Sequence, residues 1–190
     1  MSSKAKATAF IAMMAALGNA LFVASQTIFT TGQVALDLSH VATYIAAIYG
    51  GPILGAVVGA LVGIGPAIYF GYVGGVLGPL GLFGLPVGKA LTGLTTGFLS
   101  KTLLPSGGPF PSKRTVLISM LGYVPECLFT VLLFRVLVPV FLPSETAAFL
   151  ITLLTPILVK AWIEIGFISV LMGALAGNGG FLSFVRKFVS

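Results

Sequence analysis

The chain has 190 residues, of which 57% are hydrophobic and only 7% are charged, and its formal net charge is +6. A soluble domain has about 25% charged residues, because it must cover its surface with groups that water solvates. The composition therefore excludes a soluble globular protein. It predicts an α-helical membrane protein, since the hydrophobic residues do not alternate with polar ones as in the strands of a transmembrane barrel.

Six apolar stretches are candidates for transmembrane helices, each of which needs about 20 mostly apolar residues. In chain order they are residues 8–29, 34–49, 53–70, 76–99, 116–138 and 156–177. Residues 30–33 predict the first turn, and Gly50, Gly51 and Pro52 end the second stretch, because Gly and Pro together break helices. Residues 146–155 either extend the sixth helix or form an outer loop segment. We therefore expect one domain, residues 1–190, folded as a compact bundle of six transmembrane helices.

Most of the basic residues lie in three segments that fall on one side of such a bundle. These residues are Lys4, Lys6, Lys101, Lys113, Arg114, Arg186 and Lys187. The opposite side carries only Glu145. Because cytoplasmic loops are enriched in Lys and Arg, both termini are expected in the cytoplasm of a multi-pass protein of the cell membrane. The excess positive charge is thereby explained by membrane topology, and no nucleic-acid partner is expected.

Seven ionisable residues remain within the predicted helices. They are Asp37, His40, Lys89, Glu126, Arg135, Lys160 and Glu164. A charged side chain at the centre of a membrane helix costs about 2.5–3.5 kcal/mol on insertion scales, so each residue needs an internal partner or a wet cavity. Equal numbers of acidic and basic residues leave two alternatives open. Either these side chains form ion pairs between helices, or some of them line a polar substrate pocket.

The candidate substrate site lies near the middle of the membrane or in its outer half. It consists of Lys160, Glu126, Asp37, His40, Tyr123 and Glu164. Lys160 is the leading candidate, because an ammonium group in a low dielectric gives a ligand carboxylate or carbonyl a strong hydrogen bond. Lys160 and Glu164 are four residues apart on one helix face, so a local ion pair is the alternative.

The other candidates form two groups, and within each group neighbouring residues are one helical turn apart. Asp37 and His40 are three residues apart at the start of the second helix, and Gln33 lies one turn above Asp37. Their spacing predicts a polar stripe at the outer mouth of the bundle. Tyr123 lies one turn from Glu126 and serves either as a hydrogen-bond donor or as a packing residue.

Two stripes of small residues recur at every fourth position. They are Ala12, Ala16 and Ala20 on the first helix, and Gly55, Gly59 and Gly63 on the third. Small side chains let membrane helices approach closely, where no hydrophobic force draws them together. The glycine stripe predicts packing within this chain. The alanine stripe serves equally well for contact with a partner subunit.

The sequence lacks the minimum chemistry of an enzyme. Residues 84–89 have the wrong glycine spacing for a phosphate-binding loop, and no Ser or Thr follows Lys89. There is no G-x-S-x-G motif, and His40 has no obvious Ser partner. The single Cys127 excludes an internal disulfide, and one Cys with one His argues against a structural metal site. We expect no catalytic residue, cofactor or metal, so uphill transport would draw its energy from a partner.

With its size, six helices and cytoplasmic termini, the chain resembles the S components of energy-coupling factor (ECF) transporters. Ala12-xxx-Ala16, followed by Ala20, resembles the small-residue motif with which that family docks on its transmembrane T component. Residues 36–40, Leu-Asp-Leu-Ser-His, are similar to the family's signature in the second helix. Residues 50–56, Gly-Gly-Pro-Ile-Leu-Gly-Ala, are similar to its tight connection into the third.

The resemblance implies that the chain binds a vitamin or similar scarce nutrient from outside, and that a T component and two ATPase subunits act with it. In riboflavin- and biotin-binding members a Lys early in the sixth helix touches the ligand, and Lys160 is the matching position. Leu158 and Val159 stand where those members place an Asn or Asp, which argues against both vitamins. The alternative function is a stand-alone channel or carrier for small solutes, which an internal repeat would favour.

Overall fold

The computed structural model describes residues 3–28, 30, 31, 34, 35, 37–74, 77–105 and 110–189. The α-helices in this part of the chain are α1 (Ser3–Ile28), α2 (His40–Val62), α3 (Ile64–Ile68), α4 (Gly78–Leu103), α5 (Ser112–Gly122), α6 (Val124–Leu132), α7 (Val138–Phe141), α8 (Ser144–Ala176) and α9 (Gly179–Val189). Tyr69–Val73 and Leu133–Leu137 are π-helical. The strands β1 (Thr30–Thr31) and β2 (Val34–Ala35) form an antiparallel pair. Apart from this short hairpin, the predicted all-helical fold is confirmed for the described residues.

Four stretches of the described chain are long and apolar enough to cross a membrane. They are Lys4–Thr27, His40–Val73, Ser112–Phe141 and Ser144–Ala176. Four such helices indicate a multi-pass α-helical membrane protein. The finer arrangement, six spans with both termini in the cytoplasm, stays a prediction.

The chain reverses direction inside α2. Gly51 has a φ of 83°, in the left-handed region that favours glycine, and Pro52 follows it. A Cβ atom on Gly55 would lie 2.7 Å from the Cβ of Ala47. Residues eight positions apart in a continuous helix are separated by about 12 Å, so the two halves of α2 run side by side. The helix break predicted at residues 50–52 is therefore confirmed.

The second half of α2 packs on α4 through its glycine stripe. A Cβ atom on Gly59 would overlap the backbone oxygen of Lys89, and one on Gly63 would lie 2.5 Å from the Cα of Pro86. Neither position has room for a side chain, so the two helix backbones are in direct contact. The predicted packing of this stripe within the chain is confirmed. It also places Lys89 beside the residues that begin α2.

The predicted start of the second helix is wrong. Helix α2 begins at His40 and not at Val34, because Val34–Ala35 pairs with Thr30–Thr31 as a strand. Asp37 and Ser39 therefore belong to the connection before α2. Some residues of the predicted helices and loops lie outside the described residues, namely Phe29, Gly32, Gln33, Leu36, Val76 and residues 106–109.

The fifth and sixth predicted helices differ in continuity. The fifth is interrupted at Tyr123, where α5 gives way to α6 with Pro125 in its first turn. Proline has no N–H for the preceding turn, which accounts for a break there and leaves Glu126 near the new helix start. By contrast, α8 continues through Pro156 from Ser144 to Ala176. Of the two alternatives for residues 146–155, extension of the sixth helix is therefore confirmed.

Three basic segments lie at one end of the molecule, which we call the basic end. They are the start of α1 (Lys4, Lys6), the start of α5 (Lys113, Arg114) and α9 (Arg186, Lys187). The backbone N–H of Phe110, just before α5, donates to the carbonyl of Ala176 at 3.1 Å. The ring of Tyr49, next to the turn at Gly51, lies 5.6 Å from that of Phe110 and 5.7 Å from that of Phe181 in α9. Helix α9, which was expected only as a basic tail, packs on α1.

Candidate substrate site and its charge network

Lys89 is the centre of a buried polar network and is only 2% exposed. Its Nζ donates to Oδ2 of Asp37 at 2.9 Å and to Oγ of Ser39 at 2.8 Å. The same Nζ lies 3.0 Å from Nδ1 of His40. These contacts use all three N–H bonds of an ammonium group. The close packing of α4 on α2 is what allows Lys89 to reach all three partners.

Asp37 lies in the connection before α2 and is held from two sides. Its Oδ1 accepts a hydrogen bond from the backbone N–H of Ser39 at 2.9 Å, while Oδ2 pairs with Lys89. Burial raises the pKa of the Asp37 carboxyl, but the ammonium of Lys89 beside it helps to outweigh burial and holds that pKa well below its ordinary value. Asp37 is therefore ionised at neutral pH and forms a charged pair with Lys89.

His40 and Glu126 join α2 to α6. Nε2 of His40 lies 3.0 Å from Oε2 of Glu126, and both side chains are buried. The hydroxyl of Thr92 donates to the same carboxylate oxygen. Thr92 can do so because it lies three residues after Lys89 and shares its helix face. The other oxygen of Glu126, Oε1, has no hydrogen bond within the described part of the chain.

Lys160 and Glu164 attach α8 to the same network. Nζ of Lys160 lies 3.1 Å from Oε1 of Glu164, and the backbone N–H of Asp37 donates to that oxygen as well. The side chain of Lys160 is 23% exposed, whereas that of Glu164 is 7% exposed. Lys160 is thus the end of the network that remains most accessible.

An open surface cavity of about 420 Å³ lies beside Lys160. The described residues that line it with Lys160 are Thr155, Pro156, Val159 and Ile163. All five belong to α8, and the four neighbours of Lys160 are exposed, so the cavity is a depression on the outer face of this helix. Pro156 lacks an N–H group, which frees a backbone carbonyl one turn earlier in α8. The cavity is almost entirely apolar, and Lys160 supplies the ammonium group at its edge.

Aromatic rings pack against the network. The ring of Tyr123 meets that of His40 edge-on at 6.0 Å and that of Trp162 at 5.3 Å. Tyr123 is only 4% exposed. Of its two predicted roles, the structure describes packing, and it positions the imidazole of His40 from the side of α5 and α6.

The structure brings the predicted site residues together. Asp37, His40, Glu126, Lys160 and Glu164 belong to one connected set of hydrogen bonds and ion pairs, which Tyr123 contacts through its ring. The alternative of mutual pairing is confirmed for these residues, through ion pairs between elements and the pair Lys160–Glu164 within α8. The role of these six residues in ligand binding stays a prediction.

Three residues of the network were missed, and one charge of the predicted spans lies outside it. Lys89 was recognised as embedded but received no role, while Ser39 and Thr92 gave no signal in the sequence. Arg135, expected inside the membrane, is exposed and forms no ion pair among the described residues. It lies in the π-helical segment Leu133–Leu137, near the end of its apolar stretch.

The alanine stripe lies on the exposed face of α1. Its members are Ala12, Ala16 and Ala20. The opposite face is buried and carries Gly18, Phe22 and Ser25. Between the two faces, the amide of Asn19 donates to the carbonyl of Leu61 at 3.0 Å and accepts from the N–H of Gly65 at 2.8 Å. Because α1 is attached to α2 and α3 on that side, the stripe faces away from the rest of the chain.

Comparisons with protein-family models, curated proteins and solved structures find no match for this chain. The cavity, the charge network and the exposed stripe are therefore the basis for inferring its function.

Proposed function

We propose that this chain is the substrate-binding S component of an ECF-type importer for a vitamin or similar small nutrient. The observation that carries the proposal is Lys160, the most accessible charge of the network, beside an open cavity on α8. A ligand carboxylate or carbonyl accepts a charge-assisted hydrogen bond from Lys160. Glu164 holds Lys160 in place, and Asp37 contacts Glu164 in turn. His40, Glu126 and Tyr123 are buried behind this end of the network.

The proposal includes six membrane spans with both termini in the cytoplasm. The basic end then faces the cytoplasm, as the distribution of Lys and Arg in membrane proteins requires. Two observations support the spans beyond the four apolar stretches. The reversal at Gly51 divides His40–Val73 into two antiparallel parts, of which residues 52–73 have the length of a span and residues 40–50, at about 16 Å, are shorter than the hydrocarbon core. Helix α4, with 26 residues, is about 39 Å long, which exceeds the hydrocarbon thickness of a bilayer.

Energy for uphill import comes from partner subunits in this proposal. The sequence has no phosphate-binding loop, so two ATPase subunits hydrolyse ATP and a transmembrane T component transmits the motion. The exposed Ala12, Ala16 and Ala20 supply a flat helix face on which the T component packs. A bulky residue on this face would hold the two helices apart and abolish the contact.

Co-purification of a variant with a matched control tests the proposal. Ala16→Trp enlarges the stripe, whereas Leu94→Trp makes an aromatic substitution at another exposed position, on α4. After gentle extraction, wild type and Leu94→Trp are expected to retain a transmembrane partner and ATPase subunits, while Ala16→Trp loses them and keeps its thermal stability. Wild-type protein that carries no ATPase, but moves solute in liposomes by itself, would identify a stand-alone channel or carrier instead.

A further inference from the structure

The embedded network contains one more acid than base. All fourteen charged residues of the chain lie within the described part, so the charges can be counted completely. Glu145 and Arg135 are exposed and stand outside the network. The network holds three carboxylates, those of Asp37, Glu126 and Glu164. Against them stand two ammonium groups, and Lys89 pairs with Asp37 while Lys160 pairs with Glu164.

Glu126 is the carboxylate without a lysine, and its partner His40 does not make up the difference. Because Nδ1 of His40 lies 3.0 Å from the Lys89 ammonium, the geometry assigns Nδ1 as an acceptor. The proton of the neutral ring is then on Nε2 and points to Glu126. With a neutral His40, the network has a net charge of −1 in a low-dielectric environment, which is unfavourable without a counter-charge.

We propose that the His40–Glu126 pair binds one additional proton, so that the network is electrically neutral, and that this pair is a proton-binding site. The proton is a hydronium proton from the bulk solvent and has two positions to choose from. On Oε1 of Glu126 it converts the carboxylate to a carboxylic acid. On Nδ1 of His40 it forms an imidazolium, and the ammonium of Lys89 then has to move away, because the new N–H needs an acceptor and two cations repel each other at 3.0 Å.

A small cavity lies beside the pair and is the route that we assign to the proton. It has a volume of about 40 Å³ and lies between α4 and α6, where Glu126 and Thr130 are its polar lining residues and Gly88 and several Leu and Phe residues form the rest. This is enough for a water molecule, which occupies about 30 Å³ in the liquid. A Cβ atom on Gly88 would lie 3.5 Å from Oε1 of Glu126. Oε1 of Glu126, which accepts no hydrogen bond within the described part of the chain, is therefore the carboxylate oxygen nearest to this cavity.

The groups that surround the pair do not supply the missing charge. From α4 it faces Lys89, which is already paired, and from the connection before α2 it faces ionised Asp37. The hydroxyl-bearing neighbours are Thr92, which donates to Glu126, and Tyr44 and Tyr123, whose rings lie 6.2 and 6.0 Å from that of His40. Helix α8 contributes Lys160 and Glu164, which neutralise each other. The inference depends only on this network and stands whether or not the chain imports a nutrient.

Spectroscopy of the whole protein tests the proposal directly, because His40 is the only histidine in the chain. The protein is labelled with ¹⁵N-histidine, carries a purification tag without histidine, and is measured at neutral pH by NMR. Infrared spectra of the same protein with ¹³C-carboxyl glutamate reveal any protonated glutamic acid through an isotope shift of its carbonyl band. The proposal predicts either an imidazolium, or a neutral ring together with a band that is lost in Glu126→Gln and kept in Glu145→Gln.

A neutral ring without any isotope-shifted band would overturn the proposal. The NMR signal of His40 and the infrared carbonyl band are both measured in the wild-type protein, so this test does not depend on whether a variant folds. A band that survives in Glu126→Gln and is lost in Glu164→Gln would also overturn it, because the proton would then reside on α8. The access route has its own test. In D₂O, exchange of the proton is expected to slow in Gly88→Ala and to stay unchanged in Gly166→Ala, whose Cβ has no neighbour within 4 Å. Equal exchange in both variants would exclude the cavity as the route.

Discussion

Replacement of Lys89 by methionine tests whether the charge network stabilises the fold. Methionine keeps the length and apolar stem of lysine but removes the ammonium, so Asp37 loses its cation, and Ser39 and His40 lose their donor. Removal of one partner from a buried ion pair costs about 3–5 kcal/mol, because the other charge stays buried without compensation. The Asp37 side chain is 16% exposed, so we expect a loss near the lower limit, about 3 kcal/mol.

The free energy of unfolding can be followed in detergent micelles by the fluorescence of Trp162, the only tryptophan, which packs on Tyr123 beside the network. Lys101→Met, an exposed position on the same helix, is the matched control and should change stability by less than about 0.5 kcal/mol. The double variant Lys89→Met with Asp37→Asn should recover most of the loss, because both members of this ion pair are then uncharged. If Lys89→Met is as stable as Lys101→Met, the network does not stabilise the fold, and its structural role is refuted.

Three further predictions concern binding, packing and topology. Lys160→Ala should weaken ligand binding by about 10- to 150-fold without unfolding the protein, since the lost charge-assisted hydrogen bond is worth about 1.5–3 kcal/mol. If a binding titration gives the double variant Lys160→Met with Glu164→Gln normal affinity, Lys160 does not belong to the site. Gly59→Ala should destabilise the protein by about 1–3 kcal/mol through its overlap with α4, whereas Gly166→Ala should not, and equal unfolding curves would contradict the described helix contact. Reporter tags at both termini and between α4 and α5 should be cytoplasmic and one beside Glu145 external, so a cytoplasmic signal at Glu145 would contradict the six-span topology.

The helical fold was predictable because lipid imposes a simple rule on composition. Long apolar stretches must form helices in a membrane, so that their backbone groups find partners within the segment. The break at Gly51 was visible because glycine next to proline has a specific local effect. The start of α2 was not visible, since residues 34–39 resemble a helix start, but Val34 and Ala35 pair as a strand and residues 37–39 form a connection. The helical nature of α9 was also missed, because a short amphipathic segment resembles a basic tail.

The site could be predicted only as a set of residues and not as a set of contacts. An ionisable residue in a membrane helix needs a partner, which is why Asp37, Glu126 and Lys160 stood out. Which partner each one takes depends on helix packing, and the glycine contact at Gly59 decides that Lys89 reaches the start of α2. Hydroxyl groups such as that of Thr92 are common in membrane helices and carry no signal until the neighbouring helix is placed.

The most direct test of the proposed function is native mass spectrometry of the protein after gentle extraction from its membrane. The proposal predicts an assembly that contains this chain, a transmembrane partner, two ATPase subunits and a bound small molecule, and the bound fraction of that molecule should fall in Lys160→Ala. A chain that is recovered alone or only with copies of itself, with no ATPase partner, would contradict its assignment as the substrate-binding subunit of an importer.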